Sequence, residues 1–215
     1  MSELVTLDEN TLAIKYLCKK DKRFQKVFFM IGNILYMPYE DGYSFLIREI
    51  IEQVLSIKVA DIIYSRLETL CDGFVCQNAI NTLSDEQILS IGTSKRKVKA
   101  IRSLTQEIEC GHVVLSDFEN LSDKDIMNIL TSVHGIGAWT AKMYLMFVLN
   151  RQDILPFEDV AFLQGYGWAY KATDYSPATV QKKCRKWKSY SSIAARYMYK
   201  ALDKGLTKEE FHLFK

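Results

Sequence analysis

The chain holds 215 residues, 48% of them hydrophobic and 25% charged, with only 10 Gly and 3 Pro. That composition supports one large domain or two lobes sharing a core, built from long regular elements rather than loose linkers. The net charge of +2 announces no nucleic-acid binder by itself, and the five cysteines (Cys18, Cys71, Cys76, Cys110 and Cys184) hold no CxxC pair, which argues against a disulfide framework, a zinc site or an iron–sulfur cluster.

The N-terminal MSELVTLDEN has neither a basic n-region nor an apolar h-region, and no apolar run reaches about 18 residues, so neither a secretory signal nor a membrane span is expected. Reduced thiols point to a cytosolic setting. Charge is uneven along the chain. Residues 1–120 carry 14 basic and 17 acidic side chains, and residues 121–215 carry 14 and 9. A mildly basic second half suits phosphate contacts, or simply a solvated surface.

In chain order, residues 1–40 read as helical, with VFFMI at 27–31 open to either state. Within FLIREIIEQVLSIKVADIIYSRL, Ile47, Ile50, Ile51, Val54, Val59 and Ile62 follow helical spacing. Helix starts of the capping-box type are expected at Ser84–Gln87, Ser116–Glu119 and Thr207–Glu210, and Ser122 is placed to cap a helix beginning near Lys124. Trp139, Met143, Met146, Phe147 and Leu149 form a broad apolar face. Ser176-Pro177 sets a cap before a first-turn proline. The basic run Lys182, Lys183, Arg185, Lys186 and Lys188 reads as a solvated helix face or a phosphate contact. Strand-like alternation is scarce, so the expectation is an all-α chain of roughly ten helices.

Two stretches carry chemistry. In IMNILTSVHGIGAWTAKMYLMFVL (126–149), a helix ends near Val133, His134-Gly135-Ile136-Gly137 turns sharply, and a second helix begins at once. Glycine lets the backbone turn and approach a partner closely. N–H groups at the start of the second helix form an anion site suited to a DNA phosphate. An αα-hairpin without a ligand is the plainer alternative. Twenty-two positions after Gly137, DILPFEDVAFLQGYGW sets Asp159 behind Pro156 and ahead of an apolar helix. A poorly solvated carboxylate there can stabilise a developing cation; read alone, Asp159 is equally an N-cap.

Together these stretches resemble the helix-hairpin-helix (HhH-GPD) DNA glycosylase superfamily, in particular the short form of its 3-methyladenine DNA glycosylase II, or alkylated-base, branch. The resemblance is carried by Leu130-x-x-x-x-Gly135-Ile136-Gly137-x-Trp139-Thr140-Ala141 and Pro156-x-x-Asp159, and by residues 13–24, 50–67 and 95–101. It implies a two-lobed helical fold with the active-site cleft between lobes. Residues 1–215 would form one glycosylase domain, with a hairpin-containing lobe at about 40–150 and a second lobe from 1–39 plus 151–215.

The resemblance makes Asp159 the catalytic aspartate. It assigns Gly135, Ile136, Gly137 and Thr140 to the DNA-gripping hairpin, and Gln53 and Val54 to the segment that enters the vacated base stack; Val54 as a buried helix residue is the alternative. Relatives with lyase activity carry lysine where this chain has Trp139, so a monofunctional hydrolase is implied. Lys142 is not at that position. An aromatic pocket would draw in a cationic alkylated base, with Trp139, Trp168, Tyr166 and Tyr43 as candidates; ordinary core packing is the alternative for each.

No cofactor is expected beyond a monovalent cation that hairpin carbonyls hold in some relatives. The expected partner is damaged double-stranded DNA, bound by a monomer in the cytoplasm, beside a nucleoid, or in a nucleus. Two departures stand out. His134 replaces the family's usual proline, and Ser189-Tyr190-Ser191-Ser192 lacks the arginine of the family's Pro-x-Arg-Ser. A glycosylase for uracil, mismatched or oxidised bases, and a DNA-binding protein without activity, are the competing readings.

Overall fold

The computed structural model describes residues 3–213. In chain order the elements are β1 (Val5–Leu7), α1 (Leu12–Lys20), α2 (Lys22–Ile31), β2 (Ile34–Tyr36), α3 (Gly42–Glu52), α4 (Ile57–Leu70), α5 (Gln77–Thr82), α6 (Asp85–Ser90), α7 (Lys95–Glu109), α8 (Asp123–Ser132), α9 (Ala138–Phe147), α10 (Val160–Tyr170), α11 (Pro177–Cys184) and α12 (Ser191–Asp203), with short 3-10 turns at Leu115–Asn120, Arg185–Trp187 and Leu206–Lys208. Helix dominates, as the sequence predicts. Among the described residues no helix is long and apolar enough to cross a membrane.

The chain divides into two compact units. A middle unit runs from Tyr39 to Leu149, and a terminal unit takes the chain up to Pro38 and again from Asn150. In the middle unit α3 is central, packing against α4, α7 and α9. Leu46, Ile47, Ile50 and Ile51 of α3 and Ile101, Leu104, Leu145 and Met146 of its neighbours are all fully buried. In the terminal unit α12 packs on α10 and α2. The α10–α12 crossing is close because Gly165 has no side chain: a Cβ there would lie 2.4 Å from Met198 O. Small residues at a helix contact let backbones approach, and any larger one would force them apart.

Local signals decide most helix starts. Ser84 closes a full capping box with Gln87. Ser122 Oγ accepts the Asp125 N–H at 3.2 Å, and Ser176-Pro177 opens α11. Each satisfies, or spares, a backbone donor that the first turn leaves unpaired.

Four expectations are corrected. Residues 1–40 contain, besides α1 and α2, a two-stranded antiparallel sheet in which Val5 faces Tyr36 and Leu7 faces Ile34. VFFMI falls inside α2. The capping-box pattern at Ser116 opens only a 3-10 turn, because Ser116 Oγ bonds to Asp117 rather than to a backbone N–H. At Thr207 the chain makes a 3-10 turn and then runs extended at Glu209. There Trp168 takes the Glu209 carbonyl and Lys171 the Glu210 carboxylate, so tertiary contacts override the local pattern. Finally, the apolar run through 47–62 is two helices. α3 ends at Glu52, and Val54, Val59 and Ile62 are exposed rather than buried.

Candidate active site

In the middle unit the hairpin is α8, the turn 133–137 and α9. The turn closes with Ile136 N–H on Val133 O at 3.1 Å, and Ile136 is buried beneath it. Gly135 is required twice over. Its φ is +92°, and a Cβ would come 2.3 Å from the Ala100 Cβ on α7. Positive φ and a close approach are the two conditions that favour glycine. Gly137 N-caps α9 with no side-chain cap, and Gly137 and Ala138 are both exposed. An exposed, uncapped start of a ten-residue helix gathers partial positive charge and is suited to an anion. Thr140 is buried just inside α9 and Trp139 is half-buried.

Beside the turn lies the segment after α3. Gln53 Nε2 donates to Gly135 O at 2.9 Å. Val54 follows at φ +64°, and its side chain is 104% exposed. Left-handed backbone at a β-branched residue is strained, and strain of this kind persists where the surroundings impose it. Val54 is therefore not the buried helix residue that its spacing allowed. Among the described residues no cluster of three His, Cys, Asp or Glu side chains forms. A cation at the hairpin would rest on backbone carbonyls alone, and that of Gly135 already accepts from Gln53.

In the terminal unit, Asp159 is the N-cap of α10. Its Oδ1 accepts the Phe162 N–H at 2.7 Å, its own N–H reaches Pro156 O at 3.0 Å, and it is 8% exposed. The turn at Pro156 and the cap together fix the carboxylate at the mouth of the helix, beside Val160, which is exposed.

The aromatic candidates part company. Tyr166 is fully buried, stacked between Phe162 and Tyr170 at 5.9 and 5.0 Å. Trp168 packs edge-on against Phe211 and donates Nε1–H to Glu209 O. Tyr43 is buried, its hydroxyl 2.7 Å from Thr105 Oγ1, and burial drives its phenol well above the ordinary range. These three rings pack within their own units, while Trp139 keeps a partly exposed face.

Sequence reasoning missed one polar centre. Asp21, N-cap of α2, is 3% exposed. Its Oδ1 accepts from Arg23 N and Phe24 N; its Oδ2 accepts from Tyr170 Oη, from Trp187 Nε1 at 2.9 Å and from Lys186 Nζ at 3.0 Å. No local pattern announces partners more than 140 residues away. Lys186 is thereby separated from the rest of the basic run, of which Lys182, Lys183, Arg185 and Lys188 are exposed.

Residues 47–189 match the family described as HhH-GPD superfamily base excision DNA repair protein. The chain belongs to that superfamily. Among relatives, DNA-3-methyladenine glycosylase 1 of Schizosaccharomyces pombe is 28% identical over 167 residues, 75% of this chain and 73% of that one. The crystal structure of a DNA-3-methyladenine glycosidase from Bacillus halodurans aligns with a TM-score of 0.85 at 29% identity, covering 97% of both chains. The S. pombe 3-methyladenine DNA glycosylase in complex with abasic DNA aligns at 0.83 and 26% identity, covering 90% of this chain and 97% of its own. The turn at Gly135–Gly137 and Asp159 both lie inside the matched span.

Proposed function

We propose that this HhH-GPD protein is a monofunctional DNA glycosylase that hydrolyses the N-glycosidic bond of alkylated purines of the 3-methyladenine type in double-stranded DNA. The observation that carries the reading is similarity along nearly the whole chain to 3-methyladenine glycosylases, one of them bound to abasic DNA, the product of base removal. Readings as a binding-only protein or a glycosylase for another lesion have no comparable support.

The chemistry divides among named residues. The exposed N–H groups at Gly137 and Ala138 take a backbone phosphate. Val54 fills the gap left by the extruded nucleotide, whose unstacking costs a few kcal/mol. As the C1′–N bond breaks, its electron pair leaves with the base and positive charge develops on the sugar. The Asp159 carboxylate stabilises that charge and takes a proton from the water that adds to C1′. An alkylated purine is already cationic and leaves as a neutral base, so no strong general acid is required. The half-exposed Trp139 offers a ring face to such a cation. Because tryptophan occupies the position where lyases carry lysine, no Schiff base forms.

The test is base release from methylated duplex DNA, read by chromatography, with borohydride present in a parallel reaction. Free 3-methyladenine or 7-methylguanine with no covalent protein–DNA adduct is the expected result. A trapped adduct would overturn the monofunctional assignment. Tight DNA binding without release would overturn the alkylated-base assignment.

A further inference from the structure

Three contacts in the middle unit close a circuit around Val54. Lys97 Nζ, on the first turn of α7, donates 2.8 Å to Ile51 O at the end of α3. One turn further along α7, Ala100 is the residue against which Gly135 sits. The Gly135 carbonyl in turn holds the Gln53 side chain, two residues beyond Ile51. The end of α3, the start of α7 and the hairpin turn are thus mutually tied, and Val54 projects from the tie into solvent.

The physics of a helix end explains the first contact. The last four carbonyls of α3 have no donor within the helix, and the negative end of its dipole lies there. Leu55 N–H takes Glu52 O at 2.9 Å. The Lys97 ammonium takes Ile51 O, which is otherwise buried. Immobilising a lysine side chain costs much conformational entropy for one hydrogen bond of modest net worth. Its neighbours Lys95, Arg96 and Lys99 are exposed. Lys97 alone in that run turns inward.

We propose that Lys97 is a positioning residue for base extrusion: by fixing where α3 ends, it holds Val54 at a set place relative to the backbone-gripping turn at Gly135. The inference rests on the reading of Val54 as the residue that enters the vacated stack. It assigns Lys97 no contact with DNA.

The experiment compares wild type, Lys97→Met, Lys97→Arg and, as a charge-matched control, Lys99→Met. Three quantities are read. The first is affinity for a tetrahydrofuran-containing duplex across a salt series. The second is fluorescence of a 2-aminopurine beside that site, which rises when the step is unstacked. The third is single-turnover release of 7-methylguanine.

Lys97→Met is expected to keep wild-type affinity and salt slope. It should lose most of the 2-aminopurine rise and slow base release on the order of ten- to a hundredfold, the scale of a small misplacement. Lys97→Arg, which can still reach Ile51 O, should recover most of both. Wild-type fluorescence and release in Lys97→Met would overturn the proposal. So would a salt slope reduced by about one, the mark of a lost phosphate contact. If wild type itself released no base, the proposed reaction would fall, and the 2-aminopurine comparison alone would decide the role of Lys97.

Discussion

Two buried aspartates in the terminal unit begin as the same motif and sit in different surroundings, and we propose different roles for them. Asp21 and Asp159 each precede a helix, each accept a backbone N–H from its first turn, and each are less than a tenth exposed. Asp21 also receives a phenol, an indole and an ammonium from distant parts of the unit, so both oxygens are committed to the interior. Asp159 follows the Pro156 turn and directly precedes exposed Val160. Capping geometry alone therefore does not separate a structural carboxylate from a proposed catalytic one. A carboxylate that takes five donors from three parts of the chain holds a fold together.

Exchanging each aspartate for asparagine should separate the two roles. Asp159→Asn keeps a good N-cap and should leave the melting temperature nearly unchanged. It should lower single-turnover base release by at least about 10²–10³-fold, the usual cost of removing a preorganised electrostatic partner. Equal losses of activity and stability would make Asp159 a structural cap only. Asp21→Asn should behave oppositely. It leaves Lys186 without its carboxylate and should cost on the order of 2–4 kcal/mol in urea unfolding, with base release by the folded protein preserved.

Acid should sharpen the same contrast. Burial pushes the Asp21 carboxyl up, but hydrogen bonds from Tyr170, Lys186 and Trp187, with the Lys186 charge, outweigh it and hold it below the usual carboxylate range. Its contribution to stability is then complete above about pH 4, where the unfolded carboxyl is ionised, and is lost as pH falls through the lower folded value. Denaturation curves of wild type and Asp21→Asn should converge below about pH 4. Curves that stayed equally far apart at acid pH would overturn the charge-based account of this centre.

A smaller effect with opposite signs is expected at Val54. Val54→Gly relieves a left-handed valine and should stabilise the protein by about 1 kcal/mol. It also removes the side chain proposed to fill the stack, and should slow base release about tenfold. Gain of stability with loss of activity would mark Val54 as strained for function. Loss of both would return it to packing.

These residues also show what the sequence could and could not disclose. Gly135-Ile136-Gly137 was legible because a tight turn between helices leaves few alternatives to glycine, and the Ser84 and Ser176 starts were legible because caps are local. The exposed, left-handed conformation of Val54 was not: its spacing from Ile47, Ile50 and Ile51 is helical, and the break after Glu52 accompanies Lys97 and Gln53 contacts made 46 and 82 residues away. The packing of Tyr166 and Trp168 is not legible either, because an aromatic side chain reads alike in a pocket wall and in a core. The partners of Asp21 lie on helices that meet only once the terminal unit has assembled. The proposed catalytic role of Asp159 rests on resemblance, since Asp159 alone reads equally well as a cap.

The smallest effect belongs to the exposed part of the basic run that begins at Lys182. Lys186 is drawn to Asp21 and lies 4.8 Å over the Tyr170 ring, so Lys186→Gln should cost about 1–2 kcal/mol of stability. Its neighbours Lys182, Lys183 and Lys188 are exposed, and their combined change to Gln should stay within about 0.5 kcal/mol of wild type. A solvated face also predicts an unchanged salt dependence of DNA affinity for that triple variant. A slope lower by about 0.9 for each lysine removed would instead make the run a phosphate-binding surface. In that case the inward turn of Lys186 would divide one stretch of sequence between holding the terminal unit and holding DNA, the same division proposed for Asp21 and Asp159.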